Sequence, residues 1–550
     1  LFGKVQITVS KSKTVKWKSD RQSSKPHDTL CDCRRYLESR NAMSQLDVKP
    51  VKDPRAFESL WRRLWTPCDI ASVVFFRVAF AATVLWHVAL VLQNGWVEHY
   101  FAGSQYHLKF YGFEWVQALS GPGMRRVHLL MGLAAIGVGL GLLYRISTIL
   151  LFVTFTYTFL SEAALYQNHY YLTSLIAFLL ILIPAHHSFS VDALVFRKKA
   201  NPFIPNWCRW VLMFIVALPY AYGGIAKLSG DWLHAMPLGI WIPQKNQIAI
   251  IGPFLTERWV PWVLSYGGLL LDLSIVPLLL WQRTRLFAYI AVVLFHLLNS
   301  ILFTIDVFPW MMMLLTTIFF APGWPRKIVR QPLQTISENA IEVSRTPSAV
   351  QRVVLGVVGA FVAWQLIFPL RHFAYPGNAS WTEEGQDFAW RMMLHHKSLF
   401  IRFYARDGLT GKTVEIPIAR MLTKRQLMII AKSPDQIVAA SRFFATVASR
   451  VGLKQVKIQA TIIISLNGRK PQLLFDPEFD LLTVERTWKH QTWVYPLIEP
   501  RQAEPWNVPL KEWPDILGVK LPDAMVPVQR QPHGYSGNNH PQNSIGNDAP

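Results

Sequence analysis

Lys227 closes an apolar run that starts near Trp210, within the stretch LPYAYGGIAKLSGDW (218–232). An ionisable group at the end of a membrane-length apolar segment is costly to place there and marks a candidate functional site. The plainer alternative is a lysine whose stem lies along apolar surface while its ammonium reaches the interface. Other polar groups sit at comparable places in neighbouring apolar runs. These are Glu162, then Gln167, Asn168 and His169 just beyond it, and Asp231 past Lys227. His296 and Asn299 stand three apart in FHLLNSILF, and Asp272 lies mid-run in GGLLLDLS. Three-residue spacing puts His296 and Asn299 on one helix face. Taken singly, a membrane histidine is a helix–helix hydrogen-bonding group, and Asn168 is a helix cap. Taken together, Lys227, His169, His296, Asn299 and Asn168 describe base chemistry. Burial disfavours an ammonium ion, and a neutral amine is a competent general base. Histidine and asparagine beside it can hold or polarise an oxygen. Gly223 and Gly224 would let a neighbouring helix or a flat ligand approach the backbone next to Lys227.

Metal and nucleotide chemistry lack their signatures. There is no HExxH, no paired CxxC and no phosphate-binding glycine loop, so no metal is expected and nucleotide-driven chemistry is not. Cys31-Asp-Cys33 has no second pair, and no cysteine follows Cys208, which leaves the C-terminal part without a disulfide framework.

The elements that must position these residues are membrane helices. The 550 residues are 51% hydrophobic and 13% aromatic but only 16% charged, as suits a multi-span membrane protein with a soluble part. A formal net charge of +22 suggests nucleic acid in a soluble protein. Here many cations fall in short loops between apolar runs, so a lipid bilayer and not a nucleic acid is the expected partner. Nine spans are read at 70–92, 127–143, 146–161, 171–184, 210–227, 259–281, 286–303, 308–321 and 353–369. Several are short for a perpendicular helix, which suggests tilted or half-buried helices around a cavity. With the N-terminus in the cytoplasm, nine spans put Arg145, the loop 197–199, Arg283, Arg285 and the stretch 324–330 all inside, as the positive-inside bias requires. The loops at 162–170, 228–258 and 304–307, and everything after the last span, then lie outside.

Four domains follow. Residues 1–60 form a basic, mostly disordered segment, with Met43 a candidate start. Residues 61–370 form the membrane domain, 371–505 an extracytoplasmic domain of mixed, mainly β character, and 506–550 a tail disordered at its end. Strands are expected at 398–405, 412–418, 456–466 and 471–475, separated by Asp-Gly, Thr-Gly and Asn-Gly turns, with a helix over 433–451.

Multi-residue stretches in order along 60–500 resemble the vitamin K-dependent γ-glutamyl carboxylase family and its bacterial homologues with the horizontally transferred transmembrane domain. They are LWTPCDIASVVFFR (64–77), GLLYRIS (141–147), NHYYL (168–172), SVDAL (190–194), GGIAKLSGDW (223–232), GGLLLDLS (267–274), FHLLNSILF (295–303) and PGWPRKIV (322–329). Beyond the membrane part come WTEEGQDFAWRMMLHHK (381–397), ARDGLTG (405–411), FDPEFD (475–480) and TWVYPL (492–497). The resemblance implies a multi-pass enzyme, in a bacterial inner membrane, whose lysine base deprotonates reduced vitamin K or menaquinone. O₂ adds, the oxygenated quinone yields an alkoxide strong enough to take a glutamate γ-proton, the carbanion captures CO₂, and the quinone leaves as its epoxide. Lys227 matches the base and His169, with Asn168, the histidine assisting the oxygenated quinone; His296 matches a further pocket residue. Trp381, Trp390, His395 and His372 match positions around the glutamate of a protein or peptide substrate. The chain departs from vertebrate members: Ala226 stands where a second lysine precedes the base, Gln386 replaces a tyrosine and Lys397 an arginine. A cysteine pair joining the two domains is absent, with the stretch 444–449 at one of its places. Two alternatives stand beside carboxylation. One is a quinol oxygenase homologue that carboxylates no protein, and the other is a non-catalytic membrane binding protein.

Overall fold

The computed structural model describes residues 54–195, 201–303, 305–332 and 348–524. The chain divides into two compact units, 1–60 and 61–550; the nine apolar runs, the sheet of the C-terminal domain and the candidate site all belong to the second. The predicted disordered segment up to residue 53, Cys31 and Cys33, and the end of the tail from 525 lie outside the described residues.

Each of the nine apolar runs forms a helix: α1 (Ala71–Gln93), α2 (Gly121–Leu140), α3 (Tyr144–Ser161), α4 (Asn168–Leu182), α5 (Asn206–Lys227), α6 (Val260–Leu280), α7 (Arg285–Leu302), α8 (Phe308–Thr316) and α9 (Ala349–Ile367). Nine membrane crossings do not follow. Among the described residues six helices are long and apolar enough to cross: α1, α2, α5, α6, α7 and α9 with its 3₁₀ extension to Ala374. α4 and α8 are shorter apolar helices, and α3 falls outside the set. α6, α7 and α9 leave most of their surface outward, whereas α1 and α5 are largely enclosed. An all-round apolar helix enclosed by others is a core element, so α5 is central to the bundle and carries Lys227 at its end.

α1 is pinned by a buried arginine. The guanidinium of Arg77 donates to the carbonyls of Ala185 (2.5 Å), Phe189 (2.7 Å) and Gly139 (3.3 Å), tying it to the ends of α2 and α4. Five donors in a rigid fork suit three carbonyls from separate segments.

The C-terminal domain is α+β rather than mainly β. After a two-stranded antiparallel ribbon of β1 (Pro67–Asp69) and β2 (Phe203–Pro205), strands β3 (Lys397–Arg406), β4 (Thr413–Glu415), β5 (Lys457–Leu466) and β6 (Gln472–Leu473) form one antiparallel sheet in the order β4-β3-β5-β6. All four predicted strands are present, but so are two consecutive helices, α10 (Lys424–Lys432) and α11 (Pro434–Arg450). α11 carries the expected helical spacing. α10 begins at a reciprocal cap: Thr423 Oγ1 accepts from Gln426 N, and Gln426 Oε1 accepts from Thr423 N. The helices cover the sheet, so β5 is buried almost throughout and reads as continuous apolar sequence rather than as alternation.

Asn467-Gly468 turns β5 into β6. Both residues lie in the left-handed region, φ 51° and 74°, as a two-residue hairpin turn demands. A Cβ at Gly468 would sit 2.9 Å from Pro505 Cα. Gly468→Ala is therefore expected to destabilise the detergent-purified chain by about 1–2 kcal/mol from backbone conformation alone, read out as a lower thermal unfolding temperature. An unchanged melting curve would show that the turn tolerates another geometry.

Candidate functional site

Lys227 does not snorkel. It is only 7% exposed, and its Nζ lies 2.6 Å from Asp272 Oδ2 on α6 and 5.1 Å from the centre of the Trp232 ring. The indole is itself fixed, donating from Nε1 to Ser265 O (2.8 Å) while Ser265 Oγ donates to Trp232 O (2.6 Å). Gly223 stands one turn before the lysine. A Cβ there would lie 3.1 Å from Asp272 Oδ2, 3.6 Å from Met392 Cε and 3.7 Å from Lys227 Nζ. A side chain at 223 would crowd the pair from the direction in which the C-terminal domain, through Met392, covers it. Gly224 backs directly on Leu273, where a Cβ would meet the side chain at 2.8 Å. α5 and α6 thus meet along two small residues, and the ion pair bridges the contact.

His169 and His296 approach each other through Phe308 at the start of α8. The Phe308 ring stacks on His169 (5.4 Å between centroids) and meets His296 edge-on (5.9 Å). Both imidazoles are buried. His296 Nε2 shares a hydrogen bond with Tyr220 OH at 2.8 Å; among the described residues its Nδ1 has no partner, and His169 Nε2 has none either. Tyr220, Gly223 and Lys227 recur at helical spacing on α5, so one face of that helix links the tyrosine–histidine pair to the lysine. His169 also lines a small cavity with His87, Thr83, Tyr170, Thr173 and Met311. Its volume of about 10 Å³ is room for one water at most, not for a quinone ring. His87 Nδ1 is bonded to Asp306 Oδ2 at 3.0 Å.

The other expected polar residues sit elsewhere. Asn168 is the first residue of α4, not its cap, and its Oδ1 accepts from Tyr166 OH at 3.1 Å. Asn299 is half-buried, with no side-chain hydrogen bond among the described residues. Glu162 is drawn toward the C-terminal domain: its carboxylate takes bonds from Leu108 N, Ala164 N and Gln426 Nε2 and lies 3.0 Å from His107 Nδ1.

The segment 381–397 brings a second cluster over the bundle. Four of its residues other than glycine take positive φ: Glu383 (59°), Phe388 (58°), Trp390 (57°) and Met393 (55°). Backbone held in that region costs about 1–3 kcal/mol per residue and gathers at functional sites. Phe388 plugs into the membrane domain against Phe110, Tyr166 and Tyr171, and its N–H donates to Tyr166 OH at 2.7 Å. Trp381 is fully buried, with Nε1 bonded to Tyr495 O (2.7 Å). Trp390 is equally buried, beside Tyr171, with no partner for its N–H among the described residues. His372 Nδ1 is bonded to Pro369 O (2.9 Å), and its buried Nε2 meets no partner among the described residues.

His395 and Lys397 hold a carboxylate, and it is the chain's own. Glu383 Oε1 lies 3.0 Å from His395 Nε2 and 2.7 Å from Lys397 Nζ; that ammonium also donates to the carbonyls of Trp381 (2.8 Å) and Lys432 (3.0 Å). Burial alone would push the Glu383 carboxyl up, but His395 and Lys397 outweigh it and hold it at about 2. Nearby Asp387 goes the other way, raised to about 7 by burial and by Glu383.

Asp272, Tyr220, His87, Asp306 and Glu383 were not predicted as site residues. A carboxylate in the middle of an apolar run was the available signal for Asp272. Tyr220 and His87 read as ordinary members of membrane helices.

A helical membrane domain with a buried amine–carboxylate pair, capped by an α+β domain that holds its own carboxylate cluster, defines the class. The two parts match two family models: the HTTM domain over residues 65–324, and the vitamin K-dependent gamma-carboxylase lumenal domain over 350–500. The chain belongs to the vitamin K-dependent gamma-carboxylase family. No solved structure matches it.

Two outcomes follow from the site's electrostatics. Removing one member of a buried ion pair strands the other charge, so Asp272→Leu should cost about 3–5 kcal/mol of stability, whereas Lys227→Met with Asp272→Leu should recover most of it. Thermal unfolding of the three variants measures this, and a double variant as unstable as Asp272→Leu alone would count against the pairing. For Glu383, with its carboxyl depressed from 4.5 to about 2 in the folded chain, the stabilisation is present above pH 4.5 and is lost as pH falls toward 2. Melting temperatures between pH 7 and pH 3 should therefore fall more steeply for the parent chain than for Glu383→Gln.

Proposed function

We propose that the chain couples oxygenation of a reduced vitamin K-type quinol to γ-carboxylation of glutamate side chains, with Lys227 as the base that starts the reaction. The observation that carries this reading is the Lys227–Asp272 pair, buried at the end of α5 beneath the 381–397 segment. A lysine spaced from a carboxylate only by a hydrogen bond, in surroundings that exclude water, is placed to exchange a proton with a weakly acidic hydroxyl. The charged pair is the protonated form of the base: once Nζ has given up a proton, Asp272 orients the neutral amine through one N–H, and it balances the charge again when the amine takes the hydroxyl's proton. Among oxygen-bearing ligands, a phenol held at Lys227 and met by a histidine nitrogen fits the groups present. His169 Nε2 and His296 Nδ1 are buried polar atoms without partners, and such atoms are costly unless something completes them. Tyr220 fixes His296 from its other nitrogen. With the cavity at His169 as small as it is, admitting a quinone head requires Phe308 and Met311 to give way.

The bound hydroquinone, on reaction with O₂, supplies a base far stronger than an amine. The balance is one hydroquinone, one O₂, one glutamate side chain and one CO₂ giving quinone epoxide, water, the γ-carboxylated side chain and a proton. This chain's own residues bind, orient and exclude water. On the glutamate side, His372 and His395 each keep a buried nitrogen free, Nε2 and Nδ1, for a substrate group entering above the bundle. Where the shorter helices α3, α4 and α8 complete the passages between the six long ones, the positive-inside pattern of the loops supports an extracytoplasmic position for this face, with the N-terminus in the cytoplasm, in a bacterial inner membrane.

A second reading, quinol oxygenation without protein carboxylation, is favoured by one feature. Glu383 already satisfies His395 and Lys397, two groups that would otherwise attract a substrate carboxylate. The two readings part on one measurement. Purified protein with reduced menaquinone or vitamin K, O₂, labelled CO₂ and a glutamate-containing peptide should yield both epoxide and labelled peptide, while epoxide without label selects the oxygenase. In either case Lys227→Met is expected to lower epoxide formation by on the order of 10²–10⁴-fold, the usual contribution of a positioned general base. Epoxide formation undiminished in that variant removes the role given to Lys227.

A further inference from the structure

The loop beyond Lys227 is fastened to the C-terminal domain through one carboxylate. Asp231 receives both arms of the Arg469 guanidinium, Nη2 to Oδ1 at 2.5 Å and Nη1 to Oδ2 at 2.9 Å, and Asn467 Nδ2 donates to Oδ2 at 2.8 Å. A fork-to-fork arginine–carboxylate contact fixes angle as well as distance. All three residues are buried. Burial would raise the Asp231 carboxyl, but Arg469 and Asn467 hold it below its ordinary value. Arg469 and Asn467 flank Gly468 in the β5–β6 turn, whose conformation is rigidly specified by its two positive-φ residues.

The same turn grips the other cluster. Asn467 N donates to His396 O at 2.8 Å, and Asn467 Oδ1 accepts from His396 N at 2.7 Å. His396 stands between His395 and Lys397, the two groups that hold Glu383, and its Nδ1 accepts from Trp241 Nε1 at 3.0 Å, in the same membrane-domain loop that follows Asp231. One side chain, Asn467, thus bonds at one end to the loop four residues past Lys227 and at the other to the strand entry that carries the carboxylate-holding pair. An interface contact that served cohesion alone has no need of this address. Arg258–Glu504, exposed on both sides at 3.5 Å, is of that ordinary kind.

We propose that Asp231 is a positioning residue: through Arg469 and Asn467 it sets the end of α5, and so the amine of Lys227, in register with the 383–397 segment. The proton-accepting group of the membrane domain and the substrate-facing groups of the C-terminal domain then move as one body. This rests on reading Lys227 as the base.

The test uses the full chain in lipid nanodiscs with two readouts, quinol turnover and the labelling of Lys227 by a membrane-permeant amine reagent followed by mass spectrometry. Asp231→Asn and Arg469→Gln are each expected to lower kcat on the order of 10²-fold, the usual effect of a small misplacement at a reacting group, with the quinol KM within about twofold of the parent. The double variant should be no worse than the weaker single, as for residues that act through one contact. Labelling of Lys227 should rise several-fold in all three. Arg469→Lys, which keeps the charge and loses the fork, should show the same pattern and serves where Arg469→Gln does not fold; Arg258→Gln should change neither readout. Losses that add in the double variant, or Lys227 labelling that stays at the parent level in folded variants, overturn the proposal. Lys227→Met keeping full turnover overturns the base reading instead, and leaves the labelling comparison as an independent measure of the coupling.

Discussion

The Lys227–Asp272 pair is the constraint from which the membrane domain's arrangement follows. Two opposite charges taken out of water are tolerable only when they meet closely and when other polar groups complete them. That requirement explains the surrounding sequence in order. α5 and α6 must touch, so Gly223 and Gly224 stand where the helices meet, one beside the carboxylate and the other against Leu273. The exposed side of the ammonium must be covered by something that does not compete with Asp272, and the face of Trp232 does this by attraction to the ring's electron density. The ring in turn must be held, and Ser265 on α6 holds the residue, its carbonyl accepting from the indole Nε1 and its hydroxyl donating to the Trp232 carbonyl. Each step removes water from the amine while keeping its partner in place.

Covering such a site from above is the work of the C-terminal domain. Its interface with the bundle consists less of charge against charge than of long polar side chains bonded to backbone carbonyls. Arg425 donates to Ala164 O, Gln436 to Lys109 O, and Arg486 to Lys109 O while also pairing with Asp435. Lys109 lies in an irregular loop and Ala164 in a single 3₁₀ turn, where backbone carbonyls have no helix or strand ladder to join, so a domain that supplies donors settles on them without needing a matching apolar patch. Tyr106 stacked on Phe443 adds apolar area at the same seam. The result is a cap whose position is fixed by many directional contacts.

How much of this could be read from the sequence divides along a physical line. Whatever depends on neighbours in the chain was legible: the apolar runs that became α1 to α9, the four strands, the helix over 434–450 and the Asn-Gly turn. Lys227 was legible too, because a lone charge at the end of an apolar run stands out against it. What failed was anything fixed by partners far away in sequence. Asp272 lies 45 residues from Lys227 and Arg469 lies 238 from Asp231, and no periodicity connects them. The count of crossings was not legible for a related reason, since an apolar stretch of modest length is equally apt for a span and for a helix buried inside the bundle. The mainly-β expectation missed α10 because its nine residues carry a charged, weakly apolar sequence whose start signal is the Thr423–Gln426 cap alone.

The carboxylate cluster above the bundle carries a final consequence. His395 and Lys397 could have been left as an open cationic site, but Glu383 neutralises it from the strained turn that also delivers Phe388, Trp390 and Met392 toward the membrane domain. A buried ammonium without a counterion would be costly and would pull water into the seam. With the glutamate in place the seam stays dry and the strained turn has an anchor at its start, while the hydrophobic side chains that follow form its other end. Water exclusion at Lys227 and charge balance at Lys397 are therefore not separate features: one segment of chain provides both, and loosening it at either end would admit solvent to the amine.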